Sequence, residues 1–422
     1  MALATDVLEF MTRNVEILGM KGLGVLAKRI TNNTRSFVVK DRDTDVIKWD
    51  IVEGGPANVF IREGETAWGT NVNKAPELMT LRLARMWVPF EFTGLEKERG
   101  HLIGNDAYLS KMVEVGMTNS QFQIRRMFFS DHTEKLAAVP VAAGGAVSDV
   151  IVDSVKWLKV GMTIDFYTAA GVVQVNGASL TLTYVNPDTK QIKWAAGDGT
   201  PTLTDLDEVF IAGNRNLGVY GISAWDNDGA AMPGTKGTPV IGGQTRAAER
   251  PTLNGLILRN GGVPRPLSFQ LMDELVAQIY ARDDSANISA IYGGTGTVYS
   301  YKKLLQDKQG IRTPTGLMEY KYGDNKYPVY ANDLLTPNEI PVISDPYLEE
   351  GILYFLSEKD IGFHGDKKFS WIPGMIDGKF VHLGNISNKD VFKATLKMEF
   401  QFTANSSRHG ALADLQPEFT VT

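Results

Sequence analysis

The alternation of apolar and polar positions is cleanest near the carboxyl terminus. There FKATLKMEFQFT sets Ala394, Leu396, Met398, Phe400 and Phe402 on one face and Lys393, Thr395, Lys397, Glu399 and Gln401 on the other. A period of two residues over that length predicts a long strand with one buried and one wet face. Residues 77–93, ELMTLRLARMWVPFEFT, predict a second long strand with a change of parity. Leu81 and Leu83 share one face, whereas Met86, Val88, Phe90 and Phe92 share the opposite one. A slip near Arg85 implies a bulge or bend. Between residues 100 and 129 the period lengthens. Leu109, Met112, Val113, Gly116, Ser120, Ile124 and Met127 recur at helical spacing, which predicts a rod of roughly 40 Å with a narrow apolar stripe and two charged sides.

Short β-prone runs fill much of the rest. SFVVK, VIKWDIV and NVFIR, broken by DRDTD and EGGPA, predict a hairpin over residues 36–70 with charge on both faces. A two-stranded hairpin is not stable alone in water, so it lies on its own domain or on another subunit. Trp49 and Trp68 are large amphipathic rings of the kind that anchor interfaces, and Lys48, Arg62, Glu63 and Glu65 beside them can pair across one. These six residues are the candidate contact residues. From 137 the composition shifts: AAVPVAAGGA reads as a linker, and the following seventy or so residues are almost wholly β-prone. Turn signals at Asn176-Gly177, Asn186-Pro187-Asp188 and Gly197-Asp198-Gly199 recur at short intervals, predicting a small barrel or sandwich. Its expected core is Val150, Val152, Val155, Trp157, Ile164, Phe166, Leu180, Leu182, Ile192, Trp194, Val209 and Phe210, and residues 147–213 are expected to fold alone. With helix-containing segments on both sides, the module reads as an insertion. Beyond a loop-rich stretch from 217, residues 268–282 predict a helix with Pro266 ahead of it, Asp273 and Glu274 early and Arg282 late. YSYKKLLQDKQ predicts another helix, and YPVYAN, IPVIS and ILYFLS predict strands. Residues 4–31 give a weak helical pattern interrupted by Gly19, Gly22 and Gly24, as in an arm ordered by its neighbours or a helix capping its own core.

Composition narrows the chemistry. The 422 residues suit two or three domains. The absence of cysteine excludes disulfides, thiolate metal sites and cysteine nucleophiles. A net charge of −6 argues against a surface devoted to nucleic acid. No run approaches the ~18 apolar residues of a membrane span. The start, MALATDVLEFMTRN, carries Asp6 and Glu9 and lacks the pattern of a secretory signal, so folding in a cytoplasm is expected. His101, His132, His364, His382 and His409 are scattered, without HExxH spacing, and neither GxSxG nor a Walker motif occurs. In GGTGTVY, Tyr299 stands where the last glycine of GxGxxG belongs, so a loop beside a helix is expected. Asp41, Asp43 and Asp45 have calcium-loop spacing, but Val46 and Val52 replace the turn glycine and the bidentate glutamate. Residues 225–229, WDNDG, have the glycine but Ala224 in place of the first ligand. Both read as turns. No cofactor, metal or catalytic residue is expected.

The order of these parts resembles the major capsid proteins of tailed bacteriophages, the Hong Kong 97 fold. So do NLGVYGI after the insertion, IPVISDPYLEEGILYFLSEKDIGF, and FKATLKMEFQFTANSSRHGALADL near the end. The resemblance implies an α+β chain with an amino-terminal arm (1–35) and an extended β-hairpin loop (36–76). It further implies a peripheral domain with a long spine helix (77–137 and 370–422), an inserted small all-β domain (138–216) and an axial α/β domain (217–369). It implies a non-enzymatic shell protein, assembled from hexamers and pentamers into an icosahedral head around double-stranded DNA. The expected location is the virion, after assembly in the bacterial host's cytoplasm, with no membrane contact. A scaffolding protein, a portal protein and a decoration protein are the expected partners, and packaged DNA is touched without sequence preference. The segment ahead of the hairpin is too short for the scaffolding domain some members carry, so a separate scaffold is expected. Some members also crosslink a lysine of the extended loop; Lys40 and Lys48 are present, and nothing in the sequence marks them. The rival readings are a β-rich carbohydrate-binding protein or hydrolase, and another virion part such as a tail-tube or decoration protein.

Overall fold

The computed structural model describes residues 41–43, 46–51, 77–93, 123–124, 126–127, 129–142, 145, 147–168, 173–232, 237–246, 253–283, 286–309, 319–322, 325–330, 340–365, 370–372, 381–382 and 391–420. The expected arm lies outside them, as do most of the hairpin and most of the rod. Of the rod, residues 123, 124, 126 and 127 are helical, and Ile124 from the predicted stripe is buried. The chain divides into two compact units. One comprises Met1–Ser36, Leu83–Phe128 and Gly362–Thr403; the other comprises Phe37–Arg82, Phe129–Ile361 and Ala404–Thr422.

Strands β1 (Asp41–Asp43), β2 (Val46–Ile51) and β3 (Glu77–Arg82) form an antiparallel sheet with β2 in the middle. The single strand expected over 77–93 is two strands. It breaks at Leu83, and β4 (Ala84–Thr93) belongs to the other unit. This is what the parity change encodes: a segment whose halves bury opposite faces serves two sheets. Met79 and Leu81 are buried in the first half, and Met86 in the second.

Strands β5 (Lys135–Ala138), β6 (Asp149–Ile151), β7 (Thr163–Tyr167), β8 (Leu180–Asn186), β9 (Gln191–Trp194) and β10 (Glu208–Ile211) make an antiparallel sheet in the order β5-β10-β7-β8-β9-β6. The sheet closes through Asp153, just past β6. Its N–H donates to the Ala138 carbonyl at 2.8 Å, and its Oδ1 accepts from the Ala138 N–H at 2.8 Å. Closure removes the exposed edges that invite mispairing. All twelve residues expected in this core are buried. The linker expectation fails at its start, because Ala137 and Ala138 are buried strand residues paired with Val209 and Glu208.

The chain continues through α1 (Ile222–Trp225), β11 (Val240–Ile241), β12 (Gln244–Thr245), β13 (Leu256–Leu258), α2 (Phe269–Arg282), β14 (Ala290–Gly293) and α3 (Thr295–Gln309). There follow β15 (Glu319–Tyr322), β16 (Asn325–Tyr330), β17 (Ile340–Ser344), β18 (Leu353–Leu356), β19 (Ile361–Gly365), β20 (Ser370–Trp371), β21 (Val381–His382), β22 (Val391–Ala404) and β23 (Gly410–Leu412). A seven-stranded sheet runs β13-β23-β18-β14-β17-β16-β15, with β13/β23 and β14/β17 parallel. Helix α2 starts where expected: Pro266 cannot continue a helix backwards, and the Ser268 hydroxyl caps it by accepting from Leu271 N–H at 3.3 Å. Met272, Leu275, Val276 and Ile279 of α2 lie in one core cluster with Ile291, Val342, Phe355 and Leu412 of the sheet. Each is worth about 1.5–3 kcal/mol relative to exposure. Asp273, expected to serve the helix dipole, lies beyond the first turn and accepts instead from the Tyr330 hydroxyl.

In the other unit β22 pairs with β4 from Val391↔Thr93 to Phe400↔Ala84, and β19 and β20 flank it. Its apolar face is as expected, with Leu396, Met398, Phe400 and Phe402 buried. The wet face is wet only at first. Gln401 and Thr403 are also buried where β19 lies alongside, and His364 of β19 bonds the Thr403 hydroxyl at 3.0 Å.

Candidate functional site

Of the six candidate contact residues, Lys48 and Trp49 lie in β2, paired in register with Thr80 and Met79 of β3. Arg62, Glu63, Glu65 and Trp68 lie outside the described residues. The base of the hairpin is anchored firmly. Thr80 N–H donates to the Gly242 carbonyl at 3.0 Å, and a side chain on Gly242 would meet Met79 Cγ at 2.5 Å. The β11–β12 turn therefore needs glycine there, both for its positive φ of 56° and to let Met79 in.

The barrel joins the chain through two segments lying side by side, since Asp131 and Tyr220 form an antiparallel bridge. His132 stacks on Tyr220 at 4.0 Å, and its Nδ1 lies 2.6 Å from the Gly218 carbonyl. Burial holds the His132 pKa below its ordinary value, against that hydrogen bond. His132, Glu134 and Asn216 adopt positive φ of 77°, 66° and 58°, which marks sharp bends at this neck. The barrel also meets the turn between β17 and β18. Lys156 Nζ donates to the Leu348 carbonyl at 2.7 Å, Trp157 Nε1 donates to Glu349 Oε1 at 3.4 Å, and the Trp157 ring stacks on Tyr347 at 5.7 Å. Trp157, expected in the barrel's own core, is thus also covered from outside the barrel. Burial lowers the Lys156 pKa and raises that of Glu349, each opposed by the other's charge.

The motifs that suggested ligand chemistry are filled by the protein itself. GGTGTVY, expected as a loop beside a helix, runs instead from the end of β14 into α3, and Glu350 occupies the start of that helix: its carboxylate accepts from Gly296 N–H at 3.0 Å, Thr297 N–H at 2.9 Å and the Thr297 hydroxyl at 2.9 Å. Helix amide groups that would bind an anion already hold one. In WDNDG, the expected turn opens on α1, a single helical turn with all four residues buried. The Arg246 guanidinium donates to the carbonyls of Ala224, Asn227 and Leu253, occupying the place where a calcium ion would gather oxygens. Burial brings the Arg246 pKa down to about 10, and burial pushes the neighbouring Asp226 well above the usual carboxylate range despite Arg246. Asp228 is taken by Arg259 at 2.8 Å. Asp41 and Asp43 lie in β1, and Asp45 lies outside the described residues.

His409 is fully buried, accepts from Ser357 N–H at 3.1 Å and is held neutral, its pKa lowered to about 4 by burial. Sequence reading gave no signal for Arg246 or His409, whose roles depend on contacts distant in the chain. Among the described residues no group of three or more histidine, aspartate or glutamate side chains is placed to hold a metal ion, and no helix is long and apolar enough to cross a membrane. Large apolar side chains are exposed in separate places: Trp87 on β4 at 59 %, Leu206 in a barrel turn at 62 %, and Tyr299 and Phe419 with rings 5.5 Å apart.

No protein-family model and no curated protein sequence matches this chain. Among solved structures it is similar to the cyanophage A-1(L) capsid asymmetric unit, at 12 % identity and a TM-score of 0.48, covering 92 % of each chain. It is similar to a Gordonia phage Cozz structure at 12 % identity and a TM-score of 0.37, over 91 % of this chain and 85 % of that one. Similarity to the satellite phage P4 procapsid including size determination (Sid) protein is 7 % in identity with a TM-score of 0.36, over 98 % of this chain and 91 % of that one.

Proposed function

We propose that this chain is the major capsid protein of a tailed bacteriophage, a Hong Kong 97-type subunit that closes into an icosahedral shell around double-stranded DNA. The observation that carries the reading is the β4–β22 ladder. Residues 84–93 pair with residues 391–400, and the barrel and all of the seven-stranded sheet except β23 lie between them in the chain. The reading takes residues 77–137 and 370–422 as a peripheral domain interrupted by an insertion domain (138–216) and an axial domain (217–369), with three departures from those bounds: β3 groups with the other unit, β5 is a strand of the barrel, and β23 belongs to the seven-stranded sheet. The neck at Asp131 and Tyr220 supports the insertion, because a module spliced into a host leaves and returns at one place. Exposed apolar side chains scattered over several elements suit a subunit that meets many neighbours through separate weak contacts and closes by symmetry.

The hairpin residues Lys48, Trp49, Arg62, Glu63, Glu65 and Trp68 are the contact to a neighbouring subunit. The partners are copies of the chain in hexamers and pentamers, a separate scaffolding protein, a portal protein and a decoration protein. Packaged DNA is touched through backbone charge alone, and the protein resides in the virion after assembly in the host cytoplasm. Sedimentation velocity of the full chain, produced together with a scaffolding protein, tests the reading. Fast-sedimenting closed particles are expected, and a single-subunit species at every concentration would contradict it.

A further inference from the structure

The turn between β17 and β18 touches three bodies at once. Toward the barrel it presents the Leu348 carbonyl to Lys156, the Glu349 carboxylate to the Trp157 indole, and the Tyr347 ring to the Trp157 ring. Toward α3 it sends Glu350 onto the amides of Gly296 and Thr297, and Gly351 N–H donates to the Thr297 hydroxyl at 2.8 Å. Toward the carboxyl-terminal segment, the Gly351 carbonyl accepts from Leu415 N–H at 2.9 Å. That segment in turn lies on α3: Glu418 N–H donates to the Gly296 carbonyl at 3.3 Å, and Glu418 pairs with Lys303 at 2.6 Å. Gly296 is required for this packing, since a side chain there would run into Phe419's carbonyl and Glu350.

We propose that residues 345–351 form a coupling latch. They hold the barrel against the seven-stranded sheet through Lys156 and Glu349, and they transmit release of the barrel to the first turn of α3 and the carboxyl-terminal segment. Two features make this a switch between two positions. Lys156 and Glu349 are half-buried at one seam, where Lys156 Nζ meets the Leu348 carbonyl and Glu349 meets the Trp157 indole, so the two hydrogen bonds and the Trp157–Tyr347 stack are made or lost together. The barrel also has a pivot. It hangs on the Asp131–Tyr220 neck, whose bends at His132, Glu134 and Asn216 can absorb a rotation while the barrel, closed through Asp153, stays intact. Glu349 and Glu350 are adjacent, so a movement that withdraws one displaces the other from the α3 amides. Coupling of this kind is reciprocal.

Hydrogen exchange read by mass spectrometry on the full chain tests the latch. Lys156→Glu sets a third carboxylate against Glu349 and Glu350. Amides of residues 345–351 and of Gly296 and Thr297 are expected to exchange at least about ten-fold faster, which is about 1.4 kcal/mol of lost protection, while β7, β8 and β10 keep theirs. Glu350→Gln, at the opposite end, is expected to speed exchange at residues 154–158 by a similar factor. Unchanged exchange at Gly296 and Thr297 in Lys156→Glu would overturn the coupling. Loss of protection throughout the barrel would also overturn it, because Lys156 would then be part of the barrel's own stability. If Lys156→Glu does not fold, Lys156→Met keeps the aliphatic stem and removes the charge, and a wild-type exchange pattern in that variant would equally refute the latch.

Discussion

Replacing Arg246 by methionine removes a cation that the loop around α1 is built upon. The guanidinium donates to three main-chain carbonyls, those of Ala224, Asn227 and Leu253, in a region where Trp225, Asp226 and Asn227 are all buried. The Asn227 carbonyl keeps the Gly255 N–H at 3.0 Å, so the variant strips the Ala224 and Leu253 carbonyls of this donor at about 1–3 kcal/mol each. With the cation beside Asp226 also gone, a net loss of about 3–5 kcal/mol is expected. The loss has a pH signature. The folded pKa of Asp226 lies above its unfolded value, so the folded state binds more protons, and stability falls as pH rises from the unfolded pKa toward the folded one. Arg246 pulls that folded pKa down, and its removal pushes it further up and widens the window. The penalty in Arg246→Met therefore grows as pH rises above the ordinary carboxylate range, and adding Asp226→Asn recovers part of it. Urea unfolding of the unassembled chain, followed by tryptophan fluorescence, measures the native chain and both variants. A loss below about 1 kcal/mol, or a penalty independent of pH, would refute the reasoning.

Three further predictions follow from single sites. Residues 147–213, expected from the sequence to fold alone, lack β5, which pairs with β10. The expectation therefore moves to a fragment of residues 129–221, which folds with dispersed amide resonances where the shorter one does not, and in which Asp153→Ala costs about 1.5–3 kcal/mol, measured by urea denaturation. His409 is neutral when folded, with a pKa of about 4 against 6.5 unfolded, so its contribution is complete above pH 6.5 and is lost as pH falls toward 4. The span is on the order of 3 kcal/mol, and His409→Asn flattens the pH dependence of the urea midpoint over that window. Trp68→Ala and Trp49→Ala each stop shell formation and leave the melting temperature of the unassembled chain unchanged. A loss of several kcal/mol on Trp49→Ala, of the size seen for core tryptophans, would assign Trp49 to the subunit's own core beside Met79.

The parts of the fold legible in the sequence are those written in local periodicity. The face of β22 that carries Leu396, Met398, Phe400 and Phe402 follows from alternation alone, and the barrel core follows from strand-length runs between turn residues. Helix α2 is announced by Pro266 just ahead of it, and the Ser268 cap is seen only in the structure. What the sequence concealed depends on partners far along the chain. The break at Leu83 was visible only as a parity change, because nothing local says that β3 and β4 join different sheets. Ala137 and Ala138 read as linker because small residues are equally at home in a strand packed tightly on a neighbour. Gln401 and Thr403 lose their water to β19, which periodicity in β22 does not reveal. The glycine-rich stretch read as a loop beside a helix is the end of β14 and the first turn of α3 itself, and its anion is Glu350, more than fifty residues away. Of the candidate contact residues, only the register of Lys48 and Trp49 is on view.

The most direct test of the central claim is an image. Negative-stain electron microscopy of the full chain, produced in bacteria with a scaffolding protein and purified by size, should show closed, round shells of uniform diameter with five- and six-fold clusters of subunits. Dispersed single subunits at all concentrations, or open tubes, would contradict the assignment to a capsid shell.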